Sequence, residues 1–367
     1  MTFGWRYFGR RLLVAVFLVW VLSVITFALY FTIPDEPASF LVDVAHAKPS
    51  QVAKARHELG VDRPVYVQYA KYVSRLVRGD FGIAWSGISF TPSGQPEGVH
   101  VGDELARAGA VTGWLALGGV VLLLVFSVPM AALAATRVGS FLDRGLLTIS
   151  LVGVSLHPIV LGIILQTFLG NRWHVTPPAG YCSLVHHEPN TYQSGGPPII
   201  GSAAGTCGGF VDWSTHMILP WLTFALFFVA LYMRIVRVRL LEVLETDYVR
   251  AARARGASEF RIVRRHALPN TFLPLITMIG MDIGTAVGVA VYVETVYQLP
   301  GLGRTTLQAL GGEATLDLPT ILGVVLFVGA AIILLNLLVD LVYAVVDPTI
   351  RTRGDRAVGR APAGGIV

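Results

Sequence analysis

The run LLVAVFLVWVLSVITFALYFTI, residues 12–33, is preceded by Arg6, Arg10 and Arg11 and followed by Pro34, Asp35 and Glu36. Basic residues before an apolar stretch also mark a secretory leader. This run is too long for a leader's apolar region, and Pro34-Asp35-Glu36 directly after it do not make an Ala-x-Ala type cleavage site. A helix rises about 1.5 Å per residue and the bilayer hydrocarbon is about 30 Å thick, so one crossing needs about 20 apolar residues. Residues 12–33 therefore read as an uncleaved first membrane span.

Working outward from it, the same test finds five more segments: residues 113–135, 146–169, 217–233, 272–293 and 319–346. The fourth span is short, with His216 and Arg234 able to snorkel at its ends, and the sixth carries Asp340 near one end. The 367-residue chain is 54% hydrophobic and 14% charged, whereas soluble domains carry about a quarter charged residues. The composition thus excludes a water-soluble enzyme and predicts an all-α, polytopic membrane protein with six transmembrane helices.

The formal charge of +5 is carried mainly by arginine, placed between spans rather than in a nucleic-acid module. Arg6, Arg10 and Arg11, then Arg137 and Arg144, then nine arginines in residues 234–270, then Arg351, Arg353, Arg356 and Arg360 fall on one side. The loops after spans three and five hold one basic residue each, Arg172 and Arg304. The positive-inside rule predicts cytoplasmic N- and C-termini, and an even span count agrees.

The chain divides into a cytoplasmic segment and first span (1–33), an external helical segment (34–110), a transmembrane core (111–346) and a cytoplasmic tail (347–367). In the external segment, Val52, Ala55 and Leu59, and then Val65, Tyr69, Tyr72 and Leu76, recur at helical spacing. They predict two short amphipathic helices at the outer mouth of the bundle, with residues 101–109 a separate entry helix. The external loop 170–215 contains both cysteines. A Cys182–Cys207 disulfide suits an outward face and would contribute about 3–4 kcal/mol in the chain-entropy view. The alternative, a metal site from Cys182, His186, His187 and Cys207, lacks compact zinc-motif spacing, and no metal is expected.

The connection between spans four and five, residues 234–270, contains DYVRAARARGASEFRIVRRHALPN (247–270). Its first part predicts a helix with small Ala251 and Ala252, Gly256 permits a sharp turn, and Phe260, Val263 and Ala267 form an apolar stripe flanked by Arg261, Arg264 and Arg265. Such an element can seat a small knob in a groove of a soluble partner, or it can simply lie on anionic lipid.

These residues resemble the coupling motif of inner-membrane permeases of bacterial ATP-binding-cassette dipeptide and oligopeptide importers. In that motif two small residues, Ala251-Ala252 here, precede Gly256 and a Leu-Pro pair, Leu268-Pro269. Arg250 stands where many permeases have glutamate, a departure usual in the peptide branch. The resemblance extends to Arg6-Tyr7 with Arg10-Arg11-Leu12, to Glu58-Leu59-Gly60-Val61-Asp62-Arg63-Pro64, and to Gly79-Asp80-Phe81-Gly82. It continues through Val293-Glu294-Thr295-Val296-Tyr297, Pro300-Gly301-Leu302-Gly303-Arg304, Asn336 through Tyr343, and Asp347-Pro348. The Cys-containing loop fits it least.

The resemblance implies the type I importer permease fold and a bacterial plasma-membrane location. It implies as partners a second related permease, two cytoplasmic ATPase subunits or domains and an external solute-binding protein, with peptide as cargo and membrane lipid as surroundings. The coupling contact would be made by Ala251, Ala252, Arg255, Gly256, Ala257, Ser258, Glu259 and Phe260. The chain has no Gly-x-x-x-x-Gly-Lys-Ser/Thr loop, so it is expected to bind no cofactor and to catalyse nothing itself; ATP and magnesium would belong to partner subunits.

Asp282, beside Gly280, Gly284 and Gly288, is an ionisable group within the fifth span and reads either as part of a translocation path or as a structural hydrogen-bonding group. Glu294 and Arg304 flank that span's outer end and are candidates for a gate or for contact with the binding protein. His157-Pro158 reads as a kink. Rival readings are a permease for nickel complexes or another small solute, an ion-coupled secondary transporter suggested by Asp282, and a sensory membrane subunit.

Overall fold

The computed structural model describes residues 5–32, 48–59, 63–84, 89–90, 96–184, 188–189, 206–311 and 316–346. Among these, structure is almost entirely helical, apart from two-residue antiparallel pairs β1 (Ser89–Phe90) with β2 (Pro96–Glu97) and β3 (Glu188–Pro189) with β4 (Thr206–Cys207). The helices in chain order are α1 (Trp5–Thr32), α2 (Pro49–Leu59), α3 (Val65–Val77), α4 (Val101–Thr136), α5 (Phe141–Ser155) and α6 (Pro158–Leu165). They continue as α7 (Phe210–Leu244), α8 (Asp247–Ala254), α9 (Glu259–Ile262), α10 (Leu268–Tyr297), α11 (Leu302–Gly311) and α12 (Leu318–Val346). The expected tail, 347–367, and His186 and His187 lie outside the described residues.

Among the described residues, five helical segments are long and apolar enough to cross a membrane: Phe8–Leu29, Val101–Thr136, Phe210–Leu244, Glu259–Tyr297 and Leu318–Val342. The expected third span, 146–169, is instead divided. α5 stops at Ser155, Leu156 is extended, and His157 accepts a bond from the Ile159 amide before Pro158 opens α6. Proline cannot continue α5 through Leu156 and His157, because its ring disfavours helical backbone before it, yet it suits a first helical turn. The π turn Gln166–Arg172 then closes this segment.

Two boundaries differ from those read off hydropathy. The short fourth span is a 35-residue helix, α7, because Arg234, Arg237 and Arg239 end the apolar run without ending the helix. Likewise residues 101–109 are not a separate entry helix but the start of the 36-residue α4; one glycine at 109 costs only about 1 kcal/mol in a helix interior.

α4 and α7 run parallel and form the centre. The Trp221 indole donates to the Trp114 carbonyl (2.9 Å), and Phe224 sits against Gly119, where a Cβ would overlap the ring. Their core includes Leu115, Leu123, Met217, Tyr232 and Met233, all essentially inaccessible. Gly119→Val should therefore overpack this seam and cost about 1–3 kcal/mol, seen as a lower thermal unfolding midpoint in detergent. An unchanged midpoint would show that the seam can yield.

α1 and α12 pack antiparallel. Gly329 meets Leu22, and Arg11, toward the start of α1, pairs with Asp340, toward the end of α12, at 2.9 Å. The start of α1 and the end of α12 therefore lie on the same side of the bundle. The amphipathic stripe of α3 docks on α1 specifically: Tyr69 shares a 2.7 Å hydrogen bond with Ser23, and Tyr72 donates to Thr26 at 3.1 Å, with Phe27 between the rings. Val65, expected on that stripe, is exposed because it sits in the first turn, beyond α1's reach.

Candidate functional site

On the arginine-rich side, α7 ends at Leu244, Thr246 opens α8, and the chain reverses at Gly256. Gly256 has φ +81°, a left-handed conformation that a side-chain-bearing residue adopts only with strain, while a Cβ there would meet open space. Its requirement is therefore one of backbone conformation. The reversal is closed by Ala257 N–H donating to Ala252 O (3.2 Å) and Gly256 N–H to Arg253 O (2.9 Å). Arg253 clamps it further, with Nε to Glu259 Oε1 at 2.7 Å, Nη2 to Oε2 at 3.2 Å and Nη1 to the Leu244 carbonyl at 3.3 Å. A planar guanidinium bonded at two points is a rigid tie.

Of the residues expected to make a coupling contact, Ala251, Arg255, Gly256, Ser258, Glu259 and Phe260 are exposed, Ala257 is half-buried and Ala252 is buried with Val249 against the bundle. They form a protruding turn on a fixed base. Phe260 does not belong to the apolar stripe as expected: it is 75% exposed, and Ile262, Val263 and Ala267 make the buried face. The cause is the π turn Val263–Ala267, whose wider turns shift the helix face relative to 3.6-residue spacing. Nor is the second helix separate from the span; α9, the π turn and α10 form one continuous helical segment. The π turn also accommodates Pro269, which has no N–H to donate and would crowd the carbonyl four residues back in a regular helix.

At the opposite end of α10, Glu294 is wholly buried and saturated with donors. Thr112 Oγ1 donates to Oε1 at 2.6 Å, and the backbone amides of Gly303 and Arg304 donate to Oε2 at 2.8 and 3.2 Å. Those amides belong to the first turn of α11, so the carboxylate caps that helix, where the helix dipole also favours negative charge. Thr112 in turn accepts from Leu302 N–H at 2.9 Å, which ties α4, α10 and α11 together. Gly301 is packed on the carboxyl group so closely that a Cβ would overlap it. Gly301→Val should push α11 off its cap and cost about 1–3 kcal/mol, measured as a lower unfolding midpoint; an unaltered midpoint would mean α11 is held by other contacts.

Nothing local marks Thr112 as Glu294's partner beyond its being a polar residue in an apolar helix. Arg304 points elsewhere: its guanidinium bonds the Gln298 carbonyl. Glu294 and Arg304 are thus adjacent, but Glu294 meets Arg304's backbone and not its charge.

Asp282 lies twelve residues before Glu294 on α10, about 18 Å along the axis, so the two do not form one site. Tyr232 of α7 donates to Asp282 Oδ2 at 2.9 Å. Of the three glycines beside it, only Gly280 is in close packing, where a Cβ would lie 2.7 Å from Val339 of α12; Gly284 and Gly288 face open space. Four-residue spacing put the glycines on one face, but among the described residues only Gly280 meets another helix.

Cys182 is wholly buried and disulfide-bonded, and Cys207, the chain's other cysteine, lies in β4. His216 stands against the Cys182 sulfur at 3.7 Å.

Comparison with known families and proteins shows which proteins the chain is similar to. Residues 110–352 match the family described as binding-protein-dependent transport system inner membrane component, and residues 4–89 match its N-terminal companion. The chain is 33% identical over 331 residues to the dipeptide transport system permease protein DppB of Escherichia coli K12, covering 90% of this chain and 94% of that one. It is also 33% identical over 346 residues to the di/tripeptide transport system permease protein DppB of Pseudomonas aeruginosa UCBPP-PA14, covering 94% and 98% of the two chains. With its apolar helices joined by a clamped, exposed turn, the chain belongs to the binding-protein-dependent transport permeases, multi-pass proteins of the bacterial inner membrane.

Proposed function

We propose that this chain is one of two membrane-spanning permease subunits of an ATP-driven importer that moves dipeptides or oligopeptides into the cell. The observation that carries the reading is the coupling turn, a glycine-dependent reversal, tied by Arg253 and Glu259, that exposes Arg255, Gly256, Ser258, Glu259 and Phe260 on a base rooted in the core. The similarity to peptide permeases over nearly the whole chain supports peptide as cargo.

In this reading the broken α5–α6 segment makes the sixth crossing, and both termini face the cytoplasm. The second permease, two ATPases beneath the pair and a solute-binding protein above it complete the machine. ATP and magnesium belong to the ATPases. Their closure on ATP pushes the coupling turns and biases the bundle toward an outward-open state, and hydrolysis lets it return. Because α9 runs unbroken into α10, displacement of the turn is delivered directly to the helix that bears Asp282 and, at its far end, Glu294 and the α11 cap. Asp282, Glu294 and Arg304 would then act along the path or at its outer gate.

The test is co-purification of the chain with its neighbouring ATPases, followed by ATP-dependent uptake of defined di- to pentapeptides in proteoliposomes supplied with the binding protein. Saturable uptake that stops without ATP is the expected result. Uptake by this chain alone under an ion gradient would instead identify a secondary carrier and overturn the reading.

A further inference from the structure

Where α10 gives way to α11, a cleft of about 420 Å³ is lined by Thr295, Gln298, Arg304, Leu307, Gln308 and Gly311. Its size falls within the range of about 300–1,000 Å³ usual for small-molecule sites. Its chemistry is one-sided. Arg304 makes no ion pair among the described residues, and its guanidinium is held only by the Gln298 carbonyl. The nearby acid cannot serve as its counter-ion, because Glu294 is buried and occupied by Thr112 and the two α11 amides.

The side-chain amides of Gln298 and Gln308 have no hydrogen-bond partner among the described residues, whereas the Thr295 hydroxyl proton is committed to the Val291 carbonyl at 2.7 Å. The cleft thus offers a fixed cation and two free amide donors beside an apolar wall, Leu307, which is 44% exposed. Backbone strain marks the same place: Gln298 has φ +55°, the left-handed helix-ending conformation usually taken by glycine, and it is the carbonyl of this residue that aims Arg304. Below the cleft, Met281, Gly284, Thr285, Gly288 and Thr295 form an exposed face of α10 leading up to it, edged by Tyr292, whose ring meets His157.

Resting on the reading of the chain as a peptide permease, we propose that this cleft is a carboxylate subsite that receives the C-terminal carboxylate of a short peptide at the outer mouth of the path. Arg304 supplies a charge-assisted, planar pair of donors, the form best matched to a carboxylate. Gln298 and Gln308 add neutral donors, and Leu307 contacts the last side chain. A site of this kind reads the end common to all free peptides and leaves their sequence largely unread.

The experiment uses the complete complex of both permeases and both ATPases, held with ATP by a hydrolysis-blocking substitution in the ATPases. Binding of the dipeptide Ala-Phe and of its C-terminal amide is measured directly, without the binding protein. The expected result is tighter binding of the free acid, with Arg304→Gln lowering acid affinity about 10- to 100-fold while hardly altering that of the amide. Gln308→Glu, which places a like charge in the cleft, should weaken the acid selectively as a second, independent variant. Co-purification of the ATPases with each variant reports assembly.

Equal losses for acid and amide, or none, in an assembled complex that still imports peptide would overturn the subsite and leave the transport reading standing. Unchanged peptide binding with weakened docking of the binding protein would reassign the cleft to an acidic side chain of that protein and likewise overturn the proposal. A complex that imports no peptide would overturn the transport reading and the subsite with it.

Discussion

Replacing Gly256 with tryptophan is expected to leave the chain inserted in the membrane but to lower peptide uptake about 5- to 150-fold, the range set by coupling energies of 1–3 kcal/mol. Two effects act together. The substituted residue must either hold φ near +81° or open the reversal, and strain of this type costs about 1–3 kcal/mol. A Cβ at this position meets nothing within 4 Å among the described residues, so the indole would project into the surface proposed to meet the ATPase. Gly256→Asn separates the two, because asparagine tolerates left-handed backbone and adds less bulk. Uptake should fall much less in that variant. The measurement is initial uptake rate alongside ATPase co-purification, and normal uptake by Gly256→Trp would remove the turn from the coupling mechanism.

The second large effect concerns stability. Asp143, in the first turn of α5, and Arg237 of α7 form a nearly buried, two-point ion pair, with bonds of 2.8 and 2.9 Å and side-chain exposures of 4% and 14%. The same carboxylate accepts the Gly139 amide at 2.9 Å, so the turn between α4 and α5 is pinned to α7 near the coupling element. Asp143→Ala leaves the guanidinium buried without a partner and should cost about 3–5 kcal/mol.

Replacing both members with apolar residues, Asp143→Leu with Arg237→Met, should restore most of that loss, since desolvating a pair can cost as much as the pair returns. Thermal unfolding of the three proteins in detergent decides the matter, and a double variant as unstable as the single one would refute the explanation. The bonds from Arg237, aided by the Gly139 amide, hold the Asp143 carboxyl below the usual carboxylate range despite burial. Its contribution is therefore complete above the ordinary carboxylate pKa, including neutral pH, and is lost only as pH falls through the lowered value.

Hydropathy made the long apolar helices and the amphipathic α3 legible, because lipid and helical spacing act on consecutive residues. The ends of α4 and α7 were not legible, since the apolar run stops where lipid stops whereas the backbone hydrogen-bond ladder continues. The π turn that turned Phe260 outward leaves no mark in side-chain spacing, and only Pro269 beyond it gave a hint. The reversal at Gly256 could be read from the sequence, yet the Arg253–Glu259 tie that closes it was missed among many charges. Glu294 stood out in the sequence as an ionisable group at the outer end of an apolar span, but its partner Thr112 is 182 positions away, and a cap assembled by tertiary packing has no local sequence signal.

The pairing of Arg11 with Asp340 has a practical corollary. Because the outermost helices begin and end at one face, two permease chains joined head to tail would require only a hydrophilic tether, with no added crossing to restore the second chain's orientation. A single-gene tandem of this protein with the second permease proposed above would fix their ratio at one to one and allow a substitution to be placed in one half at a time.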